Sequence, residues 1–486
     1  MGAGRTPRRD TPFPPFGRPL RETPMRSLAI DLTTLMEAKG PPHGISRLIA
    51  QSAQGLLDAG AAIDFIRYSA RHRAFVHVDP EHAMARIRAQ NGAPRACRVV
   101  HPPSAPPRPE GARLGLGGRL YYSLPSEARL PLRNGADDGA RAVRQILSGA
   151  GALVRALRGG TAERRSGALY RPEPGERVLL ASALWGQPGV AAALNGLAAA
   201  QADVTSLVCD LLPVRHPEFF SAPFSARFAE WSVATLSASR RILAISRATA
   251  DDVAAEAARN GIPCPPVAVL RLGDDGIPAA PPAGAEVGDA VRALAERPFV
   301  LSLGTIEARK NHHLLYRVWR RLAEQAAEQA GAGTADAAPV PRLVIVGQPG
   351  WLTEQTYHAL TSDPVLHGHV ALVHGADDAT ISWLLERCLF TLYPSFVEGW
   401  GLPVAESLAR GRPVIAGTAP SLREAGQGLA LHLDPDDVPA WARTVMELAG
   451  TPERRQALEG EIARSYRTVT WAETASRLAE ALAEGA

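Results

Sequence analysis

Short aliphatic runs, apolar at nearly every position, recur along this chain at intervals filled with helical periodicity. In the first half they read SLAIDLT, AIDFIRY, RVLLAS, TSLVCD, RILAIS and VAVLRL. Such continuity marks strands covered on both faces, as in a parallel sheet flanked by helices. Between the first two runs, Ile45, Leu48, Ile49 and Leu56 fall on one face of a helix. A stretch rich in Pro, Gly and Ala, GDDGIPAAPPAGAEVGD (residues 273–289), then interrupts the pattern. It restarts with FVLSLGT, RLVIVG, VALVHG, CLFTLY, PVIAGT and LALHL, and Leu314, Leu315, Val318, Trp319 and Leu322 line a further helix. The pattern predicts an α/β protein of two doubly wound parallel sheets in tandem, with its ligand at the carboxyl ends of the strands in the cleft between them. The predicted division is a tail over 1–25, a first domain over 26–272 with a variable insertion at 98–176, a linker over 273–297, a second domain over 298–464 and a terminal helix over 465–486.

Length and composition agree. A chain of 486 residues exceeds what one core usually covers, and 46% hydrophobic with 21% charged residues is a globular composition. The net charge of +4 is local: residues 1–26 hold six arginines and six prolines against Asp10 and Glu22. The remainder is close to neutral, which argues against a nucleic-acid partner, and the tail reads as disordered chain without the apolar core of a leader. No apolar run reaches the ~18 residues a membrane span needs. Cys97, Cys209, Cys264 and Cys388 are dispersed, so neither a zinc site nor a disulfide framework is expected, and a reducing, cytoplasmic setting fits. Within the insertion, Arg141, Arg144, Arg155 and Arg158 have no acid among them. That spacing suits either a solvated insertion or a basic amphipathic helix lying on the inner face of an anionic membrane.

The candidate chemistry sits at strand ends. No phosphate-binding P-loop occurs, and no G-x-G-x-x-G follows the first strand; GWGLPV lacks the third glycine. In FVLSLGTIEARKNHHLL a buried strand closes at Gly304-Thr305, and the following loop presents Arg309 and Lys310, one of only two lysines among 53 basic residues. A flat guanidinium fork beside a compact ammonium suits the several oxygens of a diphosphate. In TLYPSFVEGWGLPVAESLARGRPVIAGT, a second strand ends at Pro394-Ser395 and is followed by a flexible Gly399-Trp400-Gly401 turn, with Leu402 and then Pro403 at the first position of a helix. Glu398 falls in the loop and Glu406 in the first helical turn, where an acid also complements the helix dipole. Free N–H groups of that turn favour a phosphate between the two acids, which leaves each to accept hydroxyls from a sugar on one side and a ribose on the other. Gly44, just before a helix, lets backbone approach a ligand from the other half. Asp210 ends another strand, either binding an acceptor hydroxyl or capping a turn.

Taken together these residues give a chain that resembles a retaining glycosyltransferase of family four, with the GT-B fold of two facing Rossmann-like domains. The resemblance spans roughly residues 26 to 480 and rests on GTIEARKNHHLL and on the E-x7-E element EGWGLPVAE. HGISRL, CDLLPVRHPEFF, AISRATADDV, VIVGQPGW and VTWAETASRLAEAL support it. It implies a catalytic set of Glu398, Arg309, Lys310 and Asp210. The implied donor site comprises Gly44, Gly304, Arg309, Lys310, Glu398, Gly399, Trp400, Gly401, Leu402 and Glu406, with Glu398 on the donor sugar and Glu406 on the ribose. It further implies a metal-independent reaction without cofactor, the nucleotide sugar being a co-substrate, and front-face transfer in which the leaving diphosphate helps take the acceptor proton. Many members have His where this chain has Cys209. DLTTLMEAKGPPHGISRL and CDLLPVRHPEFF are similar to bacterial mannosyltransferases of polysaccharide assembly, so the resemblance favours GDP-mannose as donor, with UDP-sugars as the alternative. It points to a polyprenyl-linked or other growing surface glycan as acceptor. A glycoside hydrolase would also use two carboxylates but leaves the Arg–Lys pair without a purpose. A GT-B sugar-nucleotide epimerase and a non-catalytic sensor are the other readings.

Overall fold

The computed structural model describes residues 28–38, 44–58, 60–88, 97–104, 167–278, 286–331 and 339–483. The tail over 1–25, Lys39, the arginine-bearing stretch 140–158 and residues 279–285 of the expected linker lie outside the described residues.

The aliphatic runs form two seven-stranded sheets. The first contains β1 (Leu28–Asp31), β2 (Ile63–Ser69), β3 (Ala74–His77), β5 (Arg177–Leu180), β6 (Asp203–Val208), β7 (Arg241–Ala244) and β8 (Val267–Val269), in the order β3-β2-β1-β5-β6-β7-β8. The second contains β4 (Arg98–Val100), β9 (Phe299–Leu303), β10 (Arg342–Val346), β11 (Val370–His374), β12 (Thr391–Tyr393), β13 (Val414–Ala416) and β14 (Leu431–His432), in the order β14-β13-β12-β9-β10-β11-β4. β1 pairs in parallel with both β2 (Leu28 opposite Ile63) and β5 (Leu28 opposite Arg177). β9 does the same between β10 and β12. Every residue of β1, β5, β9, β11, β12 and β13 is buried, as expected of strands with helices on both faces. The strand order reverses at β1/β5 and at β9/β12, and ligands of doubly wound sheets bind outside such reversals.

The structure differs from the sequence expectation at three places. β3 pairs antiparallel with β2, closing the outer edge of the first sheet. β4, counted with the variable insertion of the first domain, instead pairs antiparallel with β11 and so completes the second sheet. Three residues carry too little pattern to read as a strand, and the partner decides. Residues 289–296, read as linker, form a helix (Asp289–Arg292) continued by a single 3-10 turn (Ala293–Glu296). Val287, Val291 and Leu294 are spaced for one helical face and pack with Phe299, Leu301 and Val344.

The helix Trp471–Ala483 lies on the helix Ile45–Asp58, with Gly55 so close to Ala475 that an added Cβ would stand 2.1 Å from the Ala475 Cβ. Asp274 N donates to Val469 O (2.8 Å) and Trp471 N to Asp275 Oδ1 (2.8 Å), fixing where the chain returns to the first sheet.

Candidate active site

The loop leaving β9 is held before it reaches its cations. Gly304 has φ +135°, and an added Cβ at Gly347, which follows β10, would overlap the Gly304 carbonyl oxygen at 1.9 Å. Ile306 N donates to Gln348 O (2.8 Å) and Gly350 N to Ile306 O (2.7 Å), so the two loops run side by side. A 3-10 turn, Ala308–Lys310, then aims Arg309 and Lys310 toward the end of β12.

There they meet Glu398. Arg309 Nη1 donates to Glu398 Oε2 (2.5 Å), and Lys310 Nζ donates to Glu398 Oε1 (2.9 Å) and to the Tyr393 hydroxyl (2.7 Å). Tyr393 Oη and Ser395 Oγ also donate to Glu398 Oε1, at 2.7 and 3.0 Å. Arg309 Nη2 lies 2.7 Å from Glu307 Oε1. Burial alone would raise the Glu398 pKa, but Arg309 and Lys310 together with these hydrogen bonds overcome it and bring it down to about 2. Glu307, buried and with Arg309 as its chief compensation, is raised. His312, beneath this cluster, is pushed down to about 3 by burial and by Lys310, so its ring is neutral.

Asp210, past the end of β6, faces the cluster from the first sheet. Its Oδ1 accepts from Leu212 N (3.1 Å), and burial raises its pKa against the pull of Arg309. The two halves pack tightly here: a Cβ on Gly399 would stand 2.2 Å from the Cys209 carbonyl oxygen and 2.9 Å from the Asp210 Cβ. Ser246 Oγ donates to Gly399 O (2.7 Å), and Thr249 Oγ1 is 3.2 Å from the same oxygen. The Gly399-Trp400-Gly401 turn, read as flexible, is therefore clamped. Trp400 is buried with the Arg271 guanidinium 5.9 Å from its ring, and Gly401 (φ +131°) has Leu422 where a Cβ would go. The helix after it starts at Leu402, so Pro403 takes the second position and Glu406 the fifth, one residue further in than expected. The N–H groups of Gly399, Trp400, Gly401 and Leu402 have no hydrogen-bond acceptor among the described residues.

Glu406 sits in a different environment. Its Oε1 is 3.8 Å from Arg47 Nη1, while Arg47 Nη2 donates to both oxygens of Asp378 (2.8 and 2.9 Å) and Nη1 to Gly276 O (3.3 Å). Burial dominates, with Asp378 and Asp274 adding repulsion, and the Glu406 pKa is raised to about 8. Gly44, with φ +52°, opens the helix that carries Arg47.

The structure thus gathers Glu398, Arg309, Lys310 and Asp210 at one point and sets Glu406 with Gly44's helix at a second. Sequence reasoning missed Glu307, Tyr393, Arg47 and Asp378. Glu307 and Tyr393 each sit within five residues of a singled-out position, but Arg47 and Asp378 are 331 positions apart, and nothing local joins them.

The cation pair after β9, the Glu398 carboxylate after β12 and the helix N-terminus beside it all lie within one stretch that is similar to a known family. Residues 289–464 match the family described as glycosyl transferases group 1. That match covers just over a third of the chain. The matched segment holds Arg309, Lys310, Glu398 and Glu406, and the first half of the chain supplies Asp210 and Arg47. The chain is 25% identical over 298 residues to the serotype-specific mannosyltransferase WbdA of Escherichia coli, a match covering 60% of this chain and 35% of that protein. It thus spans about a third of the length of such relatives. It is 28% identical over 154 residues to the O-antigen chain mannosyltransferase B of Escherichia coli, covering 32% of this chain and 37% of the relative. Among solved structures, sucrose-phosphate synthase from Thermosynechococcus elongatus superposes with a TM-score of 0.56 at 16% identity, over 95% of this chain and 99% of that one. Anabaena HepE in complex with UDP and glucose gives 0.55 at 14%, over 94% and 99%. These likenesses establish the GT-B fold.

Proposed function

We propose that the protein is a retaining hexosyltransferase that moves mannose from GDP-mannose to a hydroxyl of a growing surface glycan, free or polyprenyl-linked, without a metal. The observation that carries this reading is the Arg309–Lys310–Glu398 cluster at the β9/β12 reversal, faced by Asp210 across the cleft. The names of the relatives favour mannose. On this reading Arg309, Lys310 and the free N–H groups from Gly399 to Leu402 take the diphosphate. Glu398, already ionised, is the acceptor for donor-sugar hydroxyls, and Glu406 takes the ribose. The bond from the anomeric carbon to the phosphate oxygen breaks as the acceptor oxygen adds on the same face. The acceptor proton passes to the departing diphosphate, so no protein nucleophile is needed. Asp210 holds a hydroxyl at that face. Cys209, whose thiol burial pushes up to about 12, is not a sugar-binding group here.

The test is incubation with GDP-mannose or UDP-glucose, with and without a mannoside acceptor, followed by product analysis. Glycoside with retained configuration and released GDP, unaffected by EDTA, is the expected outcome. Release of GDP only with inverted product, or a reversible stop with EDTA, defeats the mechanism. Conversion of the donor without acceptor would make the protein an epimerase. A UDP-sugar donor is the second reading, suggested by the UDP bound to HepE. Location at the inner membrane face belongs to the same proposal: none of the described helices is long and apolar enough to cross a membrane, and the basic stretch 140–158 would supply surface attraction. Vesicle sedimentation that falls as salt rises is the expected outcome, and none at low salt removes it.

A further inference from the structure

One aromatic cluster is unused by this chemistry. Trp351 is 46% exposed, and Leu352 after it is 52% exposed with φ +54°, a left-handed conformation that a leucine adopts only when its surroundings impose it. The loop is imposed from behind: Gly350 N donates to Ile306 O, and a Cβ on Gly350 would stand 2.9 Å from that oxygen. From the other half, Phe219 O accepts from Trp351 Nε1 (3.2 Å), and the Phe220 ring lies 6.1 Å from the indole. Phe219 stacks on Phe396 at 5.5 Å with planes 17° apart, and Phe396 N donates to Arg309 O (2.9 Å). A half-exposed aromatic shelf therefore crosses the mouth of the cleft and ends two residues from Glu398.

We propose that Trp351, Phe219, Phe220 and Phe396 form a stacking platform for a pyranose ring of the acceptor glycan, seated beside the reacting end of the donor. The inference rests on the donor reading above, in which Glu398 marks the sugar end and Glu406 the ribose end. The shelf joins the site at Glu398, so it meets what lies beyond the transferred sugar and not the nucleobase. A pyranose offers an apolar face of C–H groups and a rim of hydroxyls. An aromatic face carries negative charge density that attracts the former, and polar groups must border it for the latter. His216, half-buried with its ring 6.5 Å from that of Phe219, and the exposed Glu218 lie 3.3 Å apart beside it. An acyl chain would not use such a border. The indole is held by its N–H bond across the cleft, so ring orientation is set before the glycan arrives and little freedom is lost on binding.

The experiment is a ligand-observed NMR titration of mannotriose at saturating GDP, on wild type, Trp351→Ala and Trp351→Phe. Wild type should bind mannotriose, Trp351→Ala should bind it about tenfold more weakly, and Trp351→Phe within about threefold of wild type. GDP affinity, measured separately, should be equal in all three. The platform is overturned if wild type binds GDP but no mannotriose, or if Trp351→Ala binds it as well as wild type. Loss of GDP affinity in Trp351→Ala would make the shelf a base platform and equally overturn it. So would lost binding to phosphatidylcholine vesicles with mannotriose affinity kept, which would assign the shelf to a bilayer. Wild type that binds neither GDP nor UDP is a different failure, of the donor reading itself, and takes the platform with it.

Discussion

Replacing Glu398 by Gln keeps the side chain's shape and removes the one charge that Arg309 and Lys310 share. The folded pKa near 2, against an ordinary 4.5, is a depression of about 2.5 units, and at 1.36 kcal/mol per unit it corresponds to about 3 kcal/mol of stability at neutral pH. That agrees in size with the cost of breaking a buried ion pair, about 3–5 kcal/mol, with Glu307 still compensating Arg309. For an unfolding unit of roughly 200 residues, with a melting entropy of about 2.1 cal/mol/K per residue, Tm should fall by about 7 °C at pH 7. A depressed carboxylate contributes stability that is present above 4.5 and lost as pH falls through 2, so the difference between the proteins should shrink to about 1 kcal/mol near pH 3. A diphosphate restores the missing negative charge, so saturating GDP should raise the Tm of Glu398→Gln by more than it raises that of wild type. Differential scanning fluorimetry at pH 7 and pH 3, with and without GDP, measures all three quantities. Equal melting temperatures at pH 7, or a gap that persists unchanged at pH 3, would refute the reasoning.

Lys310→Ala should weaken GDP binding by about 1.5–3 kcal/mol, the range of a charge-assisted hydrogen bond, and calorimetric titration reads it directly; equal affinity would exclude Lys310 from the site. Arg47→Ala removes the cation facing Glu406 and leaves Asp378 and Asp274 repelling it, so the Glu406 pKa should climb further and GDP affinity at pH 7 should fall, measured by the same titration. Glu398→Gln should lower kcat for transfer, because the lost charge lies beside the anomeric carbon where positive character develops, whereas Glu406→Gln should raise the donor KM; steady-state kinetics that reverse this split would exchange the two roles.

The strands inside each sheet were legible because burial on both faces writes an unbroken apolar run, as in Val300–Leu301 and Val370–Val373. The edges were not. β3 and β4 are short antiparallel strands whose existence depends on β2 and β11 offering a free side. The cations and acids of the candidate site were legible because they follow strand ends, where a doubly wound fold places ligands. Their pairing was not, since sequence placed Glu398 as an open acceptor while the structure has it as counterion to both cations. Glycine misled in the opposite direction: Gly399 and Gly401 suggest freedom, yet both are glycine because Cys209 and Leu422 leave no room for a Cβ.

Two glutamates eight positions apart therefore hold opposite charge states for one reason applied twice. Both are buried, and burial raises each pKa. Glu398 meets two cations within 3 Å and stays ionised, whereas Glu406 meets one at 3.8 Å that Asp378 already occupies, and its pKa is lifted to about 8. A carboxyl raised in the folded state gives its stability below 4.5 and loses it progressively as pH rises from there to 8, so Glu406→Gln should be neutral below about pH 4.5 and increasingly stabilising between there and pH 8. A ribose hydroxyl that donates to Glu406 prefers the carboxylate, so GDP affinity should rise with pH across 8 in wild type relative to Glu406→Gln. Calorimetric titration of both proteins from pH 6.5 to 9 measures that difference, and the comparison cancels ionisation of GDP itself. If the two affinity profiles are parallel, Glu406 does not meet the nucleotide, and the ribose is held elsewhere in the cleft.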